Sequence, residues 1–460
     1  MITRVEIDQK AREFEVHTSN IQRDYVFGWF LVGLYSVSQL KESLFLKGGN
    51  ALRKGYSESS RFSADLDFGI ETDIEKEFLD VEIEKICDFI YANAGVVFDK
   101  DRNNVREKFR AHDKLKVFEA RVYFKDFYGN SDHITISIQL DITRFDKLYL
   151  PVQTRHLIHP YSDVGETRIE IRCAKIEEIL ATKLKCLLQR QHSPDLFDYV
   201  FSLLNGLDIS KAEIVEVFLK RTIFEPSPGV VKNLLLGLPL EIFKHYWNKV
   251  VCPRQSLMEF ERTLVSFNES VTELFASYPE RRWDADAYFP SEFRNPILEA
   301  GRNLTMLEIV YDDVPRIVEP YSLVYKEPRG QMAREYLYVY DRTGGGKSAT
   351  VGIKSFVQEK ISSIKMTGES FEPRYAVELS KAGEHADKSY FGRPFSERLR
   401  EARTLRRRSS YGSTIKYVFE CRYCSRRFTK TRMSGKLGKH KDKYGNQCFG
   451  RVGYYVATNY

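Results

Sequence analysis

Apolar and polar positions along the first 205 residues alternate between helical and strand periods. From Tyr25 to Leu40 the chain is uncharged and mostly apolar, interrupted by Gly28, Gly33, Ser36, Ser38 and Gln39. The run falls short of the ~18 apolar residues that a membrane span needs, so it reads as a buried helix. A short strand follows at Leu44-Phe45-Leu46, then a tight Lys47-Gly48-Gly49-Asn50 turn and a helical segment from Ala51. Asp65 to Ile70 has the pattern of a strand and Ile74 to Tyr91 the spacing of a helix. Two long runs, Leu115 to Phe124 and Ile134 to Phe145, flank the turn residues Tyr128-Gly129-Asn130-Ser131 as the arms of a hairpin. Helical spacing returns from Ile176 to Leu204 and breaks at Ser193-Pro194, where Pro194 suits the first position of a second helix and Ser193 its cap. The mixture predicts an α+β core over residues 1–205. Amphipathic helices, separated by Pro226-Ser227-Pro228-Gly229 and Leu238-Pro239, extend it into a helical lobe over 206–280.

The pattern then changes. Tyr278 to Pro296 is polar and aromatic and carries Pro279, Pro290 and Pro296, which reads as a domain boundary. Beyond it, strand patterns at Arg316 to Tyr325, Arg334 to Tyr340, Thr350 to Phe356, Ile361 to Met366 and Tyr375 to Leu379 predict a small sheet domain over 300–380. Residues 381–414 are basic and weakly patterned, with Arg406-Arg407-Arg408-Ser409-Ser410, as in a linker. Residues 415–460 form a last compact module. There are no internal repeats.

Composition sharpens this division. A chain of 460 residues exceeds one hydrophobic core, and 42% apolar with 13% aromatic residues can build several. The net charge of +7 conceals an asymmetry: residues 381–460 carry 20 Lys and Arg against 6 Asp and Glu, a net +14 that leaves −7 for the rest. Clustered cations gain by displacing counterions from a polyanion, so nucleic acid is expected at the C-terminal end. Seven cysteines in a chain of this length do not make a disulfide scaffold, and Met1-Ile2-Thr3-Arg4 lacks the apolar core of a signal peptide. A cytoplasmic protein without membrane contact is expected.

The chemistry concentrates in the core. A Gly48-Gly49 turn opening a helix exposes backbone N–H groups to a phosphate, and the helix N-terminus adds favourable partial charge. Sixteen residues beyond Gly49, Asp65 and Asp67 flank apolar Leu66 on a strand, so both carboxylates face one side. Such a pair suits Mg²⁺ or Mn²⁺, which take their remaining ligands from water and substrate phosphates. A third carboxylate, Asp141 in Gln139-Leu140-Asp141-Ile142-Thr143, lies on a strand that could run beside the first and complete a two-metal site. A lone Asp-x-Asp is more often a solvent face, but apolar flanks would leave these carboxylates partly buried and in need of a cation.

Lys47-Gly48-Gly49-Asn50-Ala51-Leu52 and Arg61-Phe62-Ser63-Ala64-Asp65-Leu66-Asp67-Phe68 resemble the first two motifs of the AbiEii-type nucleotidyltransferase toxins, of the polymerase-β-like superfamily. Glu177-Glu178-Ile179-Leu180-Ala181-Thr182-Lys183-Leu184, followed by Arg190 and Asp195-Leu196-Phe197-Asp198, resembles that family's Lys-bearing helix and its closing Arg and Asp-x-x-Asp. The resemblance covers roughly residues 25 to 275. It implies a polymerase-β-like fold that takes an NTP as substrate, with Asp65 and Asp67 on the metal and Lys47, Gly48, Gly49, Asn50 and Arg190 around the nucleotide. Lys183 would neutralise the triphosphate as a compact charge, and Asp195 would orient Lys183 or the nucleotide. Asn50 stands where the family more usually has Thr or Ser, and its amide is expected to donate to a phosphate oxygen. Without the resemblance, Lys183 and Asp198 would read as helix-surface charges.

Arg316 to Leu323, Tyr336 to Asp341 and Phe371 to Tyr375 resemble a WYL domain, a small SH3-like β-barrel, although its Trp-Tyr-Leu triplet is missing. Within it, Gly344-Gly345-Gly346-Lys347-Ser348 invites a P-loop reading, but Asp341 stands where the pattern requires Gly and no long helix follows. Cys421-Arg422-Tyr423-Cys424, His440 and Cys448 have the make-up of a structural Zn²⁺ site in a small zinc ribbon. Arg426, Arg427, Lys430, Arg432, Lys436, Lys439, Lys441 and Lys443 crowd it, with Phe428 and Tyr444 among them, a composition suited to RNA or DNA. The resemblance thus implies transfer of NMP to an acceptor, the tRNA 3′ end first, by a toxin of an abortive-infection or toxin–antitoxin phage-defence system with a possible antitoxin partner. A nucleotide-sensing regulator without transferase activity, and a protein hydroxyl as acceptor, stay open.

Overall fold

The computed structural model describes residues 2–70, 74–110, 113–129, 133–141, 148–190, 192–222, 224–225, 228–278, 287–326, 334–344, 350–375, 377–379, 416–421, 423–430, 435–442 and 444–459. Helix α1 (Arg4–Phe14) starts where the Thr3 hydroxyl accepts from Glu6 N–H, and α2 (Thr18–Val37) carries the uncharged run. Tyr25, Phe27, Trp29, Phe30 and Leu31 of α2 are all buried, so the run is core. No helix among the described residues is long and apolar enough to cross a membrane.

Strand β1 (Leu44–Lys47) leads into α3 (Gly48–Ala51), which continues as a π-helical turn over Leu52–Tyr56. The helix thus begins at Gly48 rather than Ala51, because the Gly48 and Gly49 carbonyls already accept from Leu52 N–H. Then follow β2 (Asp65–Ile70), α4 (Lys76–Ala94), β3 (Asn104–Arg110), β4 (Asp113–Lys125), β5 (His133–Asp141), β6 (Gln153–His156) and β7 (Glu170–Cys173). They form one sheet in the order β3-β4-β5-β2-β1-β7-β6, parallel at β2–β5 and β1–β7 and antiparallel elsewhere. The expected hairpin is β4 with β5, paired from Val117 with Asp141 to Lys125 with His133. Its turn residues 130–132, and residues 142–147, lie outside the described residues.

Helices α5 (Ile176–Gln189) and α6 (Ser193–Leu204) break where the sequence indicated, but the cap position is His192 and Ser193 is already helical. Pro194 sits in the first turn, where its missing N–H is not needed. Helices α7 (Lys211–Arg221), α8 (Pro228–Leu236), α9 (Lys244–Trp247) and α10 (Phe260–Leu274) form the helical lobe. Its apolar faces join those of the sheet in one continuous core.

Helix α11 (Ser291–Asn303) begins within the proline-bearing stretch expected as a boundary, with Pro296 inside the helix. Strands β8 (Thr305–Tyr311), β9 (Val314–Lys326), β10 (Arg334–Asp341), β11 (Gly352–Phe356) and β12 (Ile361–Ser370) make a second, antiparallel sheet in the order β11-β10-β9-β8-β12. Strand β8 is not among the expected strands, and the described residues of the stretch from Tyr375 to Leu379 are not in a strand: Glu378 and Leu379 N–H both turn to the Tyr321 carbonyl. No pairing among the described residues joins β11 to β12. Asp341 is buried and binds Arg316 Nη1 at 2.6 Å, Lys354 Nζ at 2.8 Å and Thr343 N–H at 2.9 Å, which fixes the strand end. Residues 345–349 lie outside the described residues.

This sheet is not free of the core. Gln189 Nε2 donates to the Leu323 carbonyl at 2.7 Å, and buried Arg294 donates to the Leu188 carbonyl at 2.8 Å while paired with Glu335 at 2.5 Å. Both bonds grip the C-terminal turn of α5. Contacts group residues 1–393 as one compact unit and residues 394–460 as another. In the second, β13 (Lys416–Cys421), β14 (Arg427–Lys430) and β17 (Gly453–Asn459) form a three-stranded sheet, and β15 (His440–Lys441) pairs with β16 (Gln447–Cys448). The expected linker, 381–414, lies outside the described residues.

Candidate active site

Strands β1 and β2 pair antiparallel with Lys47 opposite Asp67, so the turn after β1 and the carboxylates that open β2 share one sheet edge. Gly48 has a left-handed φ of 71°, and a Cβ there would lie 2.5 Å from Asp67 Oδ2. At Gly49 a Cβ would lie 2.7 Å from Arg61 Nη2 and 3.1 Å from Ser63 Oγ. Gly48 therefore holds the left-handed conformation that glycine favours, and at both positions a Cβ would press on the Asp67 or Arg61 side chain. Asp65 and Asp67 are half-buried on either side of fully buried Leu66, and Ser63 Oγ donates to Asp65 Oδ1 at 3.0 Å. Lys47 is half-buried at the end of β1.

Asn50 and Asp141 take the following places. Asn50 is buried, and its amide Nδ2 donates to the Asp65 backbone carbonyl at 2.5 Å. It ties α3 to β2 instead of facing a phosphate. Strand β5 does lie beside β2, but the register sets Gln139 opposite Asp67 and Asp141 opposite Gly69, one strand repeat farther along.

Behind the edge lies a buried ion network. Lys183 Nζ sits 3.0 Å from Asp195 Oδ1 and 2.7 Å from Asp198 Oδ2. Arg190 grips Asp195 with Nε at 2.8 Å and Nη2 at 3.0 Å, and Arg61 grips Asp198 with Nε at 2.7 Å and Nη2 at 2.9 Å. His192 Nδ1 stands 3.6 Å from Asp195. The spacing of three on α6 puts both carboxylates on the face that meets Lys183. Burial alone would depress Lys183, yet the Asp198 and Asp195 carboxylates hold it above the ordinary lysine value. Burial would likewise raise the two carboxyls. Arg190 and Lys183 hold Asp195 well below the usual range, and Arg61 and Lys183 hold Asp198 below it. All five groups are charged at neutral pH, three cations against two carboxylates.

Arg61 and Ser63 are not among the residues expected at the site, and Asp198, which by pattern alone reads as a helix-surface charge, is part of the network. The signal was available: the period of two that aligns Asp67 with Asp65 extends backward through Ser63 to Arg61, if the chain enters β2 extended. Phe62 N–H donates to the Val251 carbonyl at 2.7 Å, so the helical lobe holds that lead-in.

In the second compact unit, one ligand atom from each of Cys421, Cys424, His440 and Cys448 lies within 4.8 Å of all the others. The Cys421 and Cys448 sulfurs are 3.8 Å apart, and Cys424 Sγ is 3.4 Å from His440 Nε2. A tetrahedral ion with ~2.3 Å bonds to sulfur spaces its sulfurs by about 3.8 Å. His440 Nδ1 lies 2.9 Å from the Gly438 carbonyl, which orients the ring so that Nε2 faces the cluster.

A profile described as nucleotidyl transferase AbiEii toxin, type IV TA system, matches residues 29–291, more than half of the chain. Among curated proteins none matches. Of solved structures, JHP933 from Helicobacter pylori is 18% identical with a TM-score of 0.36, over 57% of this chain and 94% of that one. MenT4, a nucleotidyltransferase toxin from Mycobacterium tuberculosis H37Rv, is 16% identical with a TM-score of 0.38, over 62% of this chain and 92% of that one. The turn, the carboxylate pair and the Lys-bearing helix all fall inside the matched span, and the chain belongs to the AbiEii family of nucleotidyltransferase toxins.

Proposed function

We propose that this toxin transfers a nucleoside monophosphate from an NTP to the 3′ end of an RNA, with tRNA the first candidate, and that it acts in phage defence opposed by an antitoxin. The observation that carries the chemistry is the meeting of Asp65 and Asp67 with the Gly48-Gly49 turn, backed by a buried network holding one cation more than its carboxylates balance. Two half-exposed carboxylates on one face are a hard-oxygen donor set that fits Mg²⁺ or Mn²⁺. Asp141 is a third candidate ligand. When bound, the cation would lower the charge barrier between acceptor hydroxyl and α-phosphate. The Gly48 and Gly49 backbone offers phosphate contacts. Lys183 and Arg190 face the leaving pyrophosphate from positions that Asp195 and Asp198 hold fixed, so that little reorganisation is needed as charge develops.

An RNA acceptor is supported by the C-terminal unit. Tyr423, Tyr444 and Phe449 are 78, 76 and 83% exposed, on the loops that carry the Cys and His ligands. Apolar rings left so open beside Arg426, Arg427, Lys430, Lys436, Lys439 and Lys441 suit unpaired bases and their phosphates. Three thiolates and an imidazole fit structural Zn²⁺, which would hold those loops in place. The test is incubation with each labelled NTP, Mg²⁺ and total RNA. Label in a tRNA-sized band supports the reading, label in protein points to a protein hydroxyl, and label in neither contradicts transfer.

A further inference from the structure

The match to the AbiEii family ends at residue 291, yet the segment beyond it reaches the edge of the candidate site. The last carbonyls of a helix have no partner within it. At the end of α5 the Leu188 carbonyl is met by the Arg294 guanidinium of α11, whose Nη1 donates at 2.8 Å. A cation there also complements the negative end of the helix dipole. Arg294 is itself fixed by Glu335 of β10, whose Oε2 accepts from Arg294 Nη2 at 2.5 Å and from Phe289 N–H at 3.0 Å. One residue along α5, Gln189 Nε2 donates to the Leu323 carbonyl of β9 at 2.7 Å. Two ties to the second sheet and its helix thus fall on consecutive residues, and the next residue is Arg190.

Arg190 ends α5 with extended backbone, φ −154° and ψ 154°, and its N–H returns to the Cys186 carbonyl. The side chain then leaves the helix for Asp195, with Nε at 2.8 Å and Nη2 at 3.0 Å. Burial would lower the guanidinium, but Asp195 and, more weakly, Asp67 hold it above the ordinary arginine value, so Arg190 stands within reach of the carboxylate pair's charge. A long side chain pivoting about this backbone carries any shift of the helix end to the site, where ~1 Å of misplacement is costly.

Stability gives Arg294 and Glu335 little reason to be charged. Both are buried, and Arg294 Nε and Glu335 Oε1 have no hydrogen bond among the described residues. A buried pair left partly unsatisfied often gains nothing over an apolar pair of the same volume. The second sheet is held to the core elsewhere: Tyr325 of β9 lies in the continuous core of the helical lobe, edge-on to Phe224 at 5.7 Å, and Phe224 stacks on Tyr288 at 4.2 Å. What an apolar pair would not provide is the donor on Leu188.

Taking Lys183 and Arg190 as the phosphate-facing cations of the transfer reading above, we infer that Arg294 is a positioning residue for the nucleotide site. With Glu335 behind it and Gln189 beside it, it fixes the end of α5 so that Arg190 meets the phosphates in one place. The second sheet thereby acts on the site through a helix end.

The test is dissociation constants of the full chain for ATP, CTP, GTP and UTP with Mg²⁺, in wild type, Arg294→Met/Glu335→Gln, Gln189→Leu and Arg190→Gln, and in each of the first two variants combined with Arg190→Gln. The paired substitution removes both buried charges together, and the Gln amide oxygen can still accept from Phe289 N–H, so the melting temperature should fall by no more than a few degrees. Binding of the tightest-held nucleotide should weaken about tenfold in the paired variant and about tenfold or more in Arg190→Gln. Because Arg294 acts through Arg190, the combination should bind no more weakly than Arg190→Gln alone. Gln189→Leu changes a half-buried position and leaves the ion pair intact, so it decides the matter where the paired variant does not fold. It should weaken binding about threefold, an effect that also vanishes beside Arg190→Gln. Wild-type affinity in both variants, or losses that multiply with that of Arg190→Gln, would overturn the assignment. Binding is read without transfer, so a wild type that binds nucleotide but labels neither RNA nor protein fails the transfer reading alone.

Discussion

One buried ion network is built on the turn that continues the Gly48 helix and a second joins α5 to α6, and they differ in what they can meet. In the first, Asp24 binds Arg53 Nε at 2.6 Å and Lys54 Nζ at 3.0 Å and accepts from the Tyr161 hydroxyl at 2.8 Å. Its Arg53 and Lys54 side chains are each 1% exposed. In the second, Arg61, Lys183 and Arg190 are 11, 8 and 16% exposed and lie against the edge that carries Asp65 and Asp67. Burial and pairing of charge alone therefore do not mark an active site. The first network serves the second: Arg53 Nη1 donates to the Glu58 and Ser60 carbonyls at 2.6 and 2.7 Å, bracing the loop that delivers Arg61.

Substitutions should separate the two. The largest effect is expected from Asp65→Ala, which should lower nucleotidyl transfer by about 10³-fold or more with the melting temperature little changed. A rate within tenfold of wild type would remove Asp65 from the site. Asp24→Ala leaves two buried cations without their carboxylate and should cost about 3–5 kcal/mol in denaturant unfolding, while the molecules still folded keep their transfer rate. Lys183→Met is the converse. Asp195 keeps Arg190 and Asp198 keeps Arg61, so the fold should lose only about 1–2 kcal/mol, but transfer should fall by about 10²-fold. Equal losses of rate and stability would make Lys183 a structural residue like Lys54.

A smaller effect concerns the C-terminal unit. Cys421→Ser should weaken RNA binding about tenfold or more in a filter-binding assay with Mg²⁺ present and leave the Kd for NTP unchanged, since the aromatic loops lose a metal ligand while the Asp65 and Asp67 pair is untouched. The smallest effect distinguishes the lysines by pH. Burial pushes Lys54 down to about 8 in spite of Asp24, so in this range the unfolded chain holds the proton that the folded chain has lost. The stability of wild type relative to Lys54→Met should rise between about pH 8 and 10.5. Lys183 is held above its ordinary value, so its contribution is full below about pH 10.5 and declines above it. Parallel pH curves for Lys54→Met and Lys183→Met would mean the two networks are alike.

What could be read in advance followed the range of the contacts. The Cys421, Cys424, His440 and Cys448 set was legible from spacing because its ligands come from one short segment. Asp65 and Asp67 were legible because strand period fixes a common face within three residues. Lys183, Asp195 and Arg190 needed a family resemblance, since only the packing of α5 on α6 turns helix-surface charges into buried pairs. The Asn50 hydrogen bond is hidden in the sequence for a related reason. Its partner is a backbone carbonyl fifteen residues away, which no side-chain pattern announces. Strand β8 is hidden beside α11, which carries Pro296, and the register that sets Asp141 level with Gly69 depends on strand pairing.

The central claim is that Asp65 and Asp67 hold a divalent cation that nucleotidyl transfer requires. It is tested by the rate of label transfer from NTP to RNA as Mg²⁺ or Mn²⁺ is titrated into metal-free protein, for wild type, Asp65→Asn and Asp67→Asn. Wild type should rise from no detectable transfer to saturation, and both variants should stay near background at metal concentrations that saturate wild type. Transfer that persists under chelation, or variants that saturate at the wild-type concentration and rate, would contradict it.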